Sequence, residues 1–218
     1  MKNMKNIILI ATLLSPLSLA AQPSTQVAWT AEQLNFVKAG NTQKGKTLAQ
    51  TCNACHGESG ISGMANTPSL AGQLPTYLYK QLQDYTDDNR QQPIMSGLAK
   101  TLSKQDAADV AAWFASLSQA YQSSSSIDYE NAEKLVKNGD SRRQIPPCEV
   151  CHANGGQGQK IDIPALYGQN AEYLSSQLKA FRDGIRHNDI YSRMRLIAKS
   201  LTDEEIIELG LYYQNLKK

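Results

Sequence analysis

The chain has 218 residues, 41% of them hydrophobic and 19% charged. That is the composition of a folded globule, and it excludes wholesale disorder. Lys and Arg number 22 against 20 Asp and Glu, so there is no basic excess for phosphate neutralisation and a nucleic-acid binder is disfavoured.

In chain order, the first expectation is a signal peptide over residues 1–20, cut near Ala20 or Ala21. Lys2 and Lys5 form a basic start, Ile7 to Leu19 is largely apolar, and Ser18, Ala20 and Ala21 supply small residues for cleavage. A membrane anchor would need about 20 unbroken apolar residues, and Pro16 interrupts this run. Losing Lys2 and Lys5 leaves 20 basic and 20 acidic residues, so the mature chain is expected to be exported, soluble and formally neutral.

Lys44 to Thr51 reads as a helix leading into CNACH at Cys52–His56. Pro68 follows, and then Thr76 to Tyr85, in which Tyr77, Leu78, Leu82 and Tyr85 recur at helical spacing. Met95 falls in a loop before Ser103, which with Asp106 forms an N-cap signature opening a helix that carries Val110, Trp113, Phe114 and Leu117. The serine-rich QAYQSSSS at Gln119–Ser126 reads as a linker.

The second half repeats the first. At an offset of 96, Cys52, Cys55 and His56 map to Cys148, Cys151 and His152, and Pro68, Gly72, Gln73, Tyr77, Gln81 and Arg90 map to Pro164, Gly168, Gln169, Tyr173, Gln177 and Arg186. Three extra residues then shift the offset to 99, at which Met95 maps to Met194 and Lys100 to Lys199. Asn131 to Asn138 is the counterpart of the first helix, ended by Gly139. Thr202 with Glu205 caps a last helix bearing Ile206, Leu209, Tyr212, Tyr213 and Leu216. No alternating run argues for a substantial strand. The expected architecture is all-α: two tandem domains, residues 22–120 and 121–218, each short for a purely hydrophobic core and so suited to a large buried cofactor.

Four cysteines are compatible with two disulfides, a zinc site or covalent cofactor attachment. CNACH and CEVCH both fit C-x-x-C-H, the c-type haem attachment motif. Two thiols at this spacing reach both vinyl groups of one haem, and the adjacent histidine turns under the ring to bind iron. A thioredoxin-like pair needs no histidine, and a zinc site would require the halves to bring their pairs together. The expectation is therefore two covalently attached haem c groups, with Cys52, Cys55, Cys148 and Cys151 as thioether sites and His56 and His152 as iron ligands.

For the sixth ligands, Met95 and Met194 are the methionines that match across the repeat, 39 and 42 residues beyond their histidines. Met64 has Lys160 as its counterpart, and His187 is the one rival ligand for the second iron. Pro68 and Pro164 are candidates to accept a hydrogen bond from each imidazole through their carbonyls, the bland alternative being turn prolines. Arg90 and Arg186 are candidates for propionate neutralisation. From Lys179 to Lys199, six Lys and Arg face two Asp. A solvated helix face, propionate binding and a docking patch all remain open for this segment.

With these residues and the intervening P-x-L-x-G-Q…Y-L…Q-L pattern placed, the chain resembles the dihaem cytochrome c4 family over roughly Lys44 to Leu216. The resemblance implies two class I cytochrome c domains related by a pseudo-twofold, with propionates meeting at their interface. It also implies a periplasmic protein, soluble or loosely membrane-associated, that relays electrons from a quinol-oxidising bc-type complex toward a terminal oxidase; a monomer is expected. The family pattern has glycine after the histidine. Gly57 keeps it, whereas Ala153 departs, with Gly155, Gly156 and Gly158 nearby to supply flexibility. Two further readings stand beside the electron carrier: a dihaem enzyme of the peroxidase or thiosulfate dehydrogenase kind, which needs an open iron, and an electron-accepting subunit of a periplasmic dehydrogenase.

Overall fold

A computed structural model describes residues 23–119 and 129–216. The expected signal peptide and most of the serine-rich join lie outside the described residues. The first half contains α1 (Ala31–Lys38), α2 (Thr42–Leu48), α3 (Asn53–His56), α4 (Pro75–Thr86), α5 (Pro93–Ala99) and α6 (Lys104–Ser116). The second contains α7 (Glu130–Asn138), α8 (Cys148–His152), α9 (Ala171–Arg182), α10 (Arg193–Lys199) and α11 (Asp203–Asn215). Only two isolated β-bridges occur among the described residues, so the all-α expectation holds.

Local chemistry sets the helix ends. Ser103 and Thr202 each accept from the backbone three residues on, while Asp106 and Glu205 reach back, completing the expected capping boxes of α6 and α11. Pro75 occupies the first turn of α4, where its missing N–H costs nothing. The first helix, α1, was not anticipated; its signal is Thr30, whose hydroxyl caps the Gln33 N–H. The Lys44–Thr51 segment divides into α2, capped by the Asn41 side chain, and a 3-10 turn over Ala49–Thr51.

Each half has its own core. Val37, Leu78, Tyr79, Val110 and Phe114 cluster in the first; Leu135, Val136, Leu174, Ile206, Leu209 and Tyr213 cluster in the second. In the first half α2 crosses α6 at backbone contact: a Cβ on Gly45 would lie 1.9 Å from the Asp109 carbonyl oxygen. In the second, α11 packs on both α7 and α9.

The halves meet through contacts that exchange identical roles. The Gln73 side-chain amide accepts from Ala165 N at 2.9 Å and donates to Ala165 O at 2.9 Å. Gln169 treats Ser69 alike, at 2.8 and 2.9 Å. Position 69 matches 165 and position 73 matches 169, so this is a pseudo-twofold written in hydrogen bonds. The symmetry breaks at the insertion. The Asn188 side chain donates to Asp84 at 2.6 Å, while the Lys80 amine donates to Asp84 at 2.6 Å and to the Asn188 carbonyl at 2.8 Å. All three residues are buried, and the positions matching Lys80 and Asp84 are Ser176 and Ala180.

Candidate functional site

Each C-x-x-C-H motif folds as about one helical turn, α3 and α8, which brings its two thiols and its histidine onto one cavity wall. The cavity, about 500 Å³, runs through both halves: Cys52, Cys55, His56 and Met95 line it from one side of the pseudo-twofold, Cys148, Cys151, His152 and Met194 from the other. Every sequence-predicted attachment and ligand residue therefore faces the same space. His187 does not line it, although Arg186 and Asn188 on either side do, and Met64 is an exposed surface residue.

The histidines are oriented by backbone. His56 Nδ1–H donates to the Pro68 carbonyl at 2.8 Å, and His152 Nδ1–H donates to the Pro164 carbonyl at 2.9 Å. A carbonyl only accepts, so the proton sits on Nδ1 and Nε2 keeps its lone pair. Burial holds both imidazoles below their ordinary pKa, partly opposed by these hydrogen bonds. They are thus neutral, the form that binds metal. Burial also raises the Cys52 thiol and pushes Cys148 up to about 11. A catalytic or redox-exchanging cysteine has the opposite shift.

The methionines sit on short helices rather than in loops. Pro93 starts α5, and the Gln92 side chain accepts from Met95 N at 2.7 Å. Entry to α10 is different: Tyr191 and Ser192 both take left-handed backbone, with φ of 57° and 56°, immediately before the helix.

Arg90 and Arg186 are buried on the cavity wall, and they cross the interface reciprocally. Arg90 donates to Gln81 of its own half and to Tyr173 and Gln177 of the other; Arg186 donates to Gln177, Tyr77 and Gln81. Their partners are amides and phenols, so both cations arrive at the cavity without a neutralising carboxylate. Burial raises the Tyr77 pKa, but Arg186 and Arg90 more than reverse this and hold the phenol below its ordinary value. Burial of an uncompensated cation is costly, so a wall with two of them suits an anionic guest. Thiol pairs, neutral imidazoles, thioethers and guanidiniums on one apolar wall together fit haem c with its propionates.

After His56, Gly57 takes φ 80° and ψ 150°; Ala153 takes φ 63° and ψ 163° at the matching place. Ala153 makes this turn itself, in a region that favours glycine. Gly155, Gly156 and Gly158 have positive φ of their own further on.

The cytochrome c family profile matches residues 42–118. Cytochrome c4 of Pseudomonas aeruginosa is 38% identical over 180 residues, 82% of this chain and 90% of that protein. The chain belongs to the cytochrome c4 family. It is accordingly an electron-transfer protein with two covalently attached haem c groups. The crystal structure of reduced cytochrome c4 from Pseudomonas stutzeri superimposes with a TM-score of 0.79 at 36% identity, covering 82% of this chain and all of that one. A protein named thiosulfate dehydrogenase electron acceptor, from Thiomonas intermedia, is 35% identical over 161 residues, 72% of this chain and 74% of its own length. No helix among the described residues is long and apolar enough to cross a membrane.

Proposed function

We propose that this cytochrome c4 relative is an exported, periplasmic two-site electron relay with His56 and Met95 ligating one iron and His152 and Met194 the other. Cys52, Cys55, Cys148 and Cys151 carry the thioether links. The observation that carries the reading is the cavity wall itself, on which a Pro-oriented neutral histidine and a methionine occur together in each half. When bound, haem c supplies reversible one-electron uptake, and methionine ligation raises its potential. The chain contributes the rest. Pro68 and Pro164 hold the imidazole protons on Nδ1, apolar helices exclude water, and Arg90 and Arg186 offset the propionate charge. A histidine and a methionine would be available to each iron, which would leave neither open to a substrate and favours a carrier over an enzyme.

The finer assignment is a path from a quinol-oxidising bc-type complex to a terminal oxidase. The 35% identity to a thiosulfate dehydrogenase electron acceptor supports a second assignment, with a thiosulfate-oxidising enzyme as donor. Reduction of the purified holoprotein by each donor separates the two: the physiological donor reduces both haems catalytically, and the other leaves them oxidised. The carrier reading is tested by the ferric spectrum. Two low-spin haems with the long-wavelength methionine-to-iron band are expected. High-spin iron at either site, with turnover of peroxide or thiosulfate, would overturn it.

A further inference from the structure

At one matched position on the cavity wall the two halves differ by a single oxygen atom. Tyr213 of α11 corresponds to Phe114 of α6 at the offset of 99 that also relates the methionines. The backbone keeps the match. Gly72 N–H donates to the Phe114 carbonyl at 2.9 Å, and Gly168 N–H donates to the Tyr213 carbonyl at 2.9 Å. Both rings lie against a glycine in left-handed backbone: a Cβ on Gly60 would stand 3.1 Å from Phe114 Cδ1, and one on Gly156 would stand 2.7 Å from Tyr213 Cε1. Both rings are buried and both line the cavity. What remains as a difference is the Tyr213 hydroxyl.

That hydroxyl is buried and has no hydrogen-bond partner among the described residues. A buried hydroxyl left unpaired is costly, so it calls for an explanation. The ring cannot swing away, since Gly156 backs it and Tyr212 meets it edge-on at 5.3 Å between centroids. Its polar neighbour is the Cys148 sulfur. Burial raises the phenol pKa, with Cys148 adding to the rise; burial also raises the Cys148 thiol, with the phenol offsetting part of it. Both influences have the sign of a protonated phenol directed at sulfur. The free thiol directs its own proton to the Leu135 carbonyl, at 3.9 Å. A thioether sulfur has lone pairs and no proton, so attachment at Cys148 leaves the phenol beside an atom that only accepts.

The first half has no such donor. Cys52, the matching sulfur, has the Thr51 hydroxyl at 4.0 Å, but Thr51 is exposed and donates to the Leu48 carbonyl at 3.1 Å. Pro147 stands where the first half has Thr51. One sulfur is therefore flanked by a hydroxyl in water and the other by a hydroxyl in the core. An O–H dipole whose positive end points at a haem edge favours the state with one more electron. In a buried, low-dielectric wall that preference is strong enough to matter, and hydrogen bonding around the group is one of the levers by which a protein sets a haem's potential.

We infer that the Tyr213 hydroxyl donates to the thioether sulfur of Cys148 and so raises the reduction potential of the second haem, an adjustment absent from the first half because Phe114 stands there. Tyr213 acts through the attachment sulfur and not on the iron. The inference rests on the electron-relay reading and names a residue that adjusts the driving force between its two sites.

The test is spectroelectrochemical titration of the intact holoprotein, beside proton NMR of its fully reduced form. Tyr213→Phe removes the hydroxyl alone, and Phe114 shows that this position accepts the smaller ring. One of the two potentials should fall by about fivefold in its one-electron equilibrium constant, roughly 40 mV at 59 mV per tenfold, while the other stays where it was. The variant should keep two covalent haems and the methionine-to-iron band, so that the shift is not a lost ligand. In reduced wild type, the spectrum should contain a slowly exchanging hydroxyl proton close to the Cys148 β protons, and Tyr213→Phe should lack it. Unchanged potentials, or an equal fall in both, would overturn the assignment. So would a hydroxyl proton that exchanges at once with water. A Tyr213→Phe protein that is more stable to heat at unchanged potentials also sinks it, because the hydroxyl is then an unpaired group and nothing more. Failure of the relay reading looks different: wild type itself would then show fewer than two reversible one-electron couples.

Discussion

Individual side chains in this protein divide into those whose chemistry announces itself and those whose neighbours define them. That the C-x-x-C-H residues and the paired methionines share one cavity wall, and that two prolines accept from His56 and His152, was legible because these residue types recur at matched spacing in both halves. The short helices carrying Met95 and Met194 were not, since a seven-residue helix begun by a proline or by two left-handed residues has no periodic signature. Met95→Ala and Met194→Ala should each remove about half of the methionine-to-iron band, read in the ferric spectrum; an undiminished band in either would dismiss that ligand. Ala153→Gly relieves a backbone region suited to glycine and should stabilise the second half by about 1 kcal/mol, measured by denaturant unfolding of the holoprotein. Replacing Arg90 or Arg186 by Met removes a buried cation that favours the reduced, less positive state. A fall in reduction potential on spectroelectrochemical titration is the expected result.

At the scale of helices, periodicity and caps revealed α4, α6, α7 and α11 to within a residue or two, whereas their crossings depended on distant backbone. Gly45 is the clearest instance: nothing in TQKGKTL says that its Cα must touch the Asp109 carbonyl of α6. Gly45→Ala forces those helices apart and should cost roughly 3 kcal/mol by overpacking, visible as an earlier unfolding transition of the first half. The second half has an ion pair at the start of its last helix. Arg143 donates to both Glu205 oxygens, at 2.9 and 2.7 Å, and to the Ser200 carbonyl, tying the segment after α7 to the start of α11. Arg143 hydrogen bonds hold the Glu205 carboxyl below the usual carboxylate range, against a smaller opposing effect of burial. A carboxyl depressed in the folded state stabilises above its ordinary pKa, and that contribution is lost as pH falls through the folded value. Arg143→Met should therefore lower thermal stability at neutral pH and flatten the loss of stability on acidification, followed by calorimetry from neutral to acidic pH.

For the whole molecule, the repeat was visible as matched residues, Gln73 with Gln169 among them, but their reach into the opposite half was not. A side chain that satisfies another domain's main chain leaves no local trace. Likewise, Lys80, Asp84 and Asn188 are polar residues that a sequence reading would leave in water, and their burial follows from the insertion folding across the interface. Gln73→Ala leaves the buried N–H and carbonyl of Ala165 unpaired, at about 1–3 kcal/mol for each such group. Calorimetry should then resolve one cooperative transition into two, whereas an unchanged single transition would mean that the amide contributes little to coupling. The Gln73 and Gln169 contacts also have the form of an encounter between identical molecules, since each partner offers an amide side chain and receives one on its own main chain. Such a surface is self-complementary, and it closes a homodimer of half-length chains as readily as the two halves of one chain. Tandem fusion makes the pairing independent of concentration and releases each copy from the obligation to stay the same. The two halves differ accordingly: the second has three more residues before its methionine, and Lys80 and Asp84 of the first stand where the second has Ser176 and Ala180.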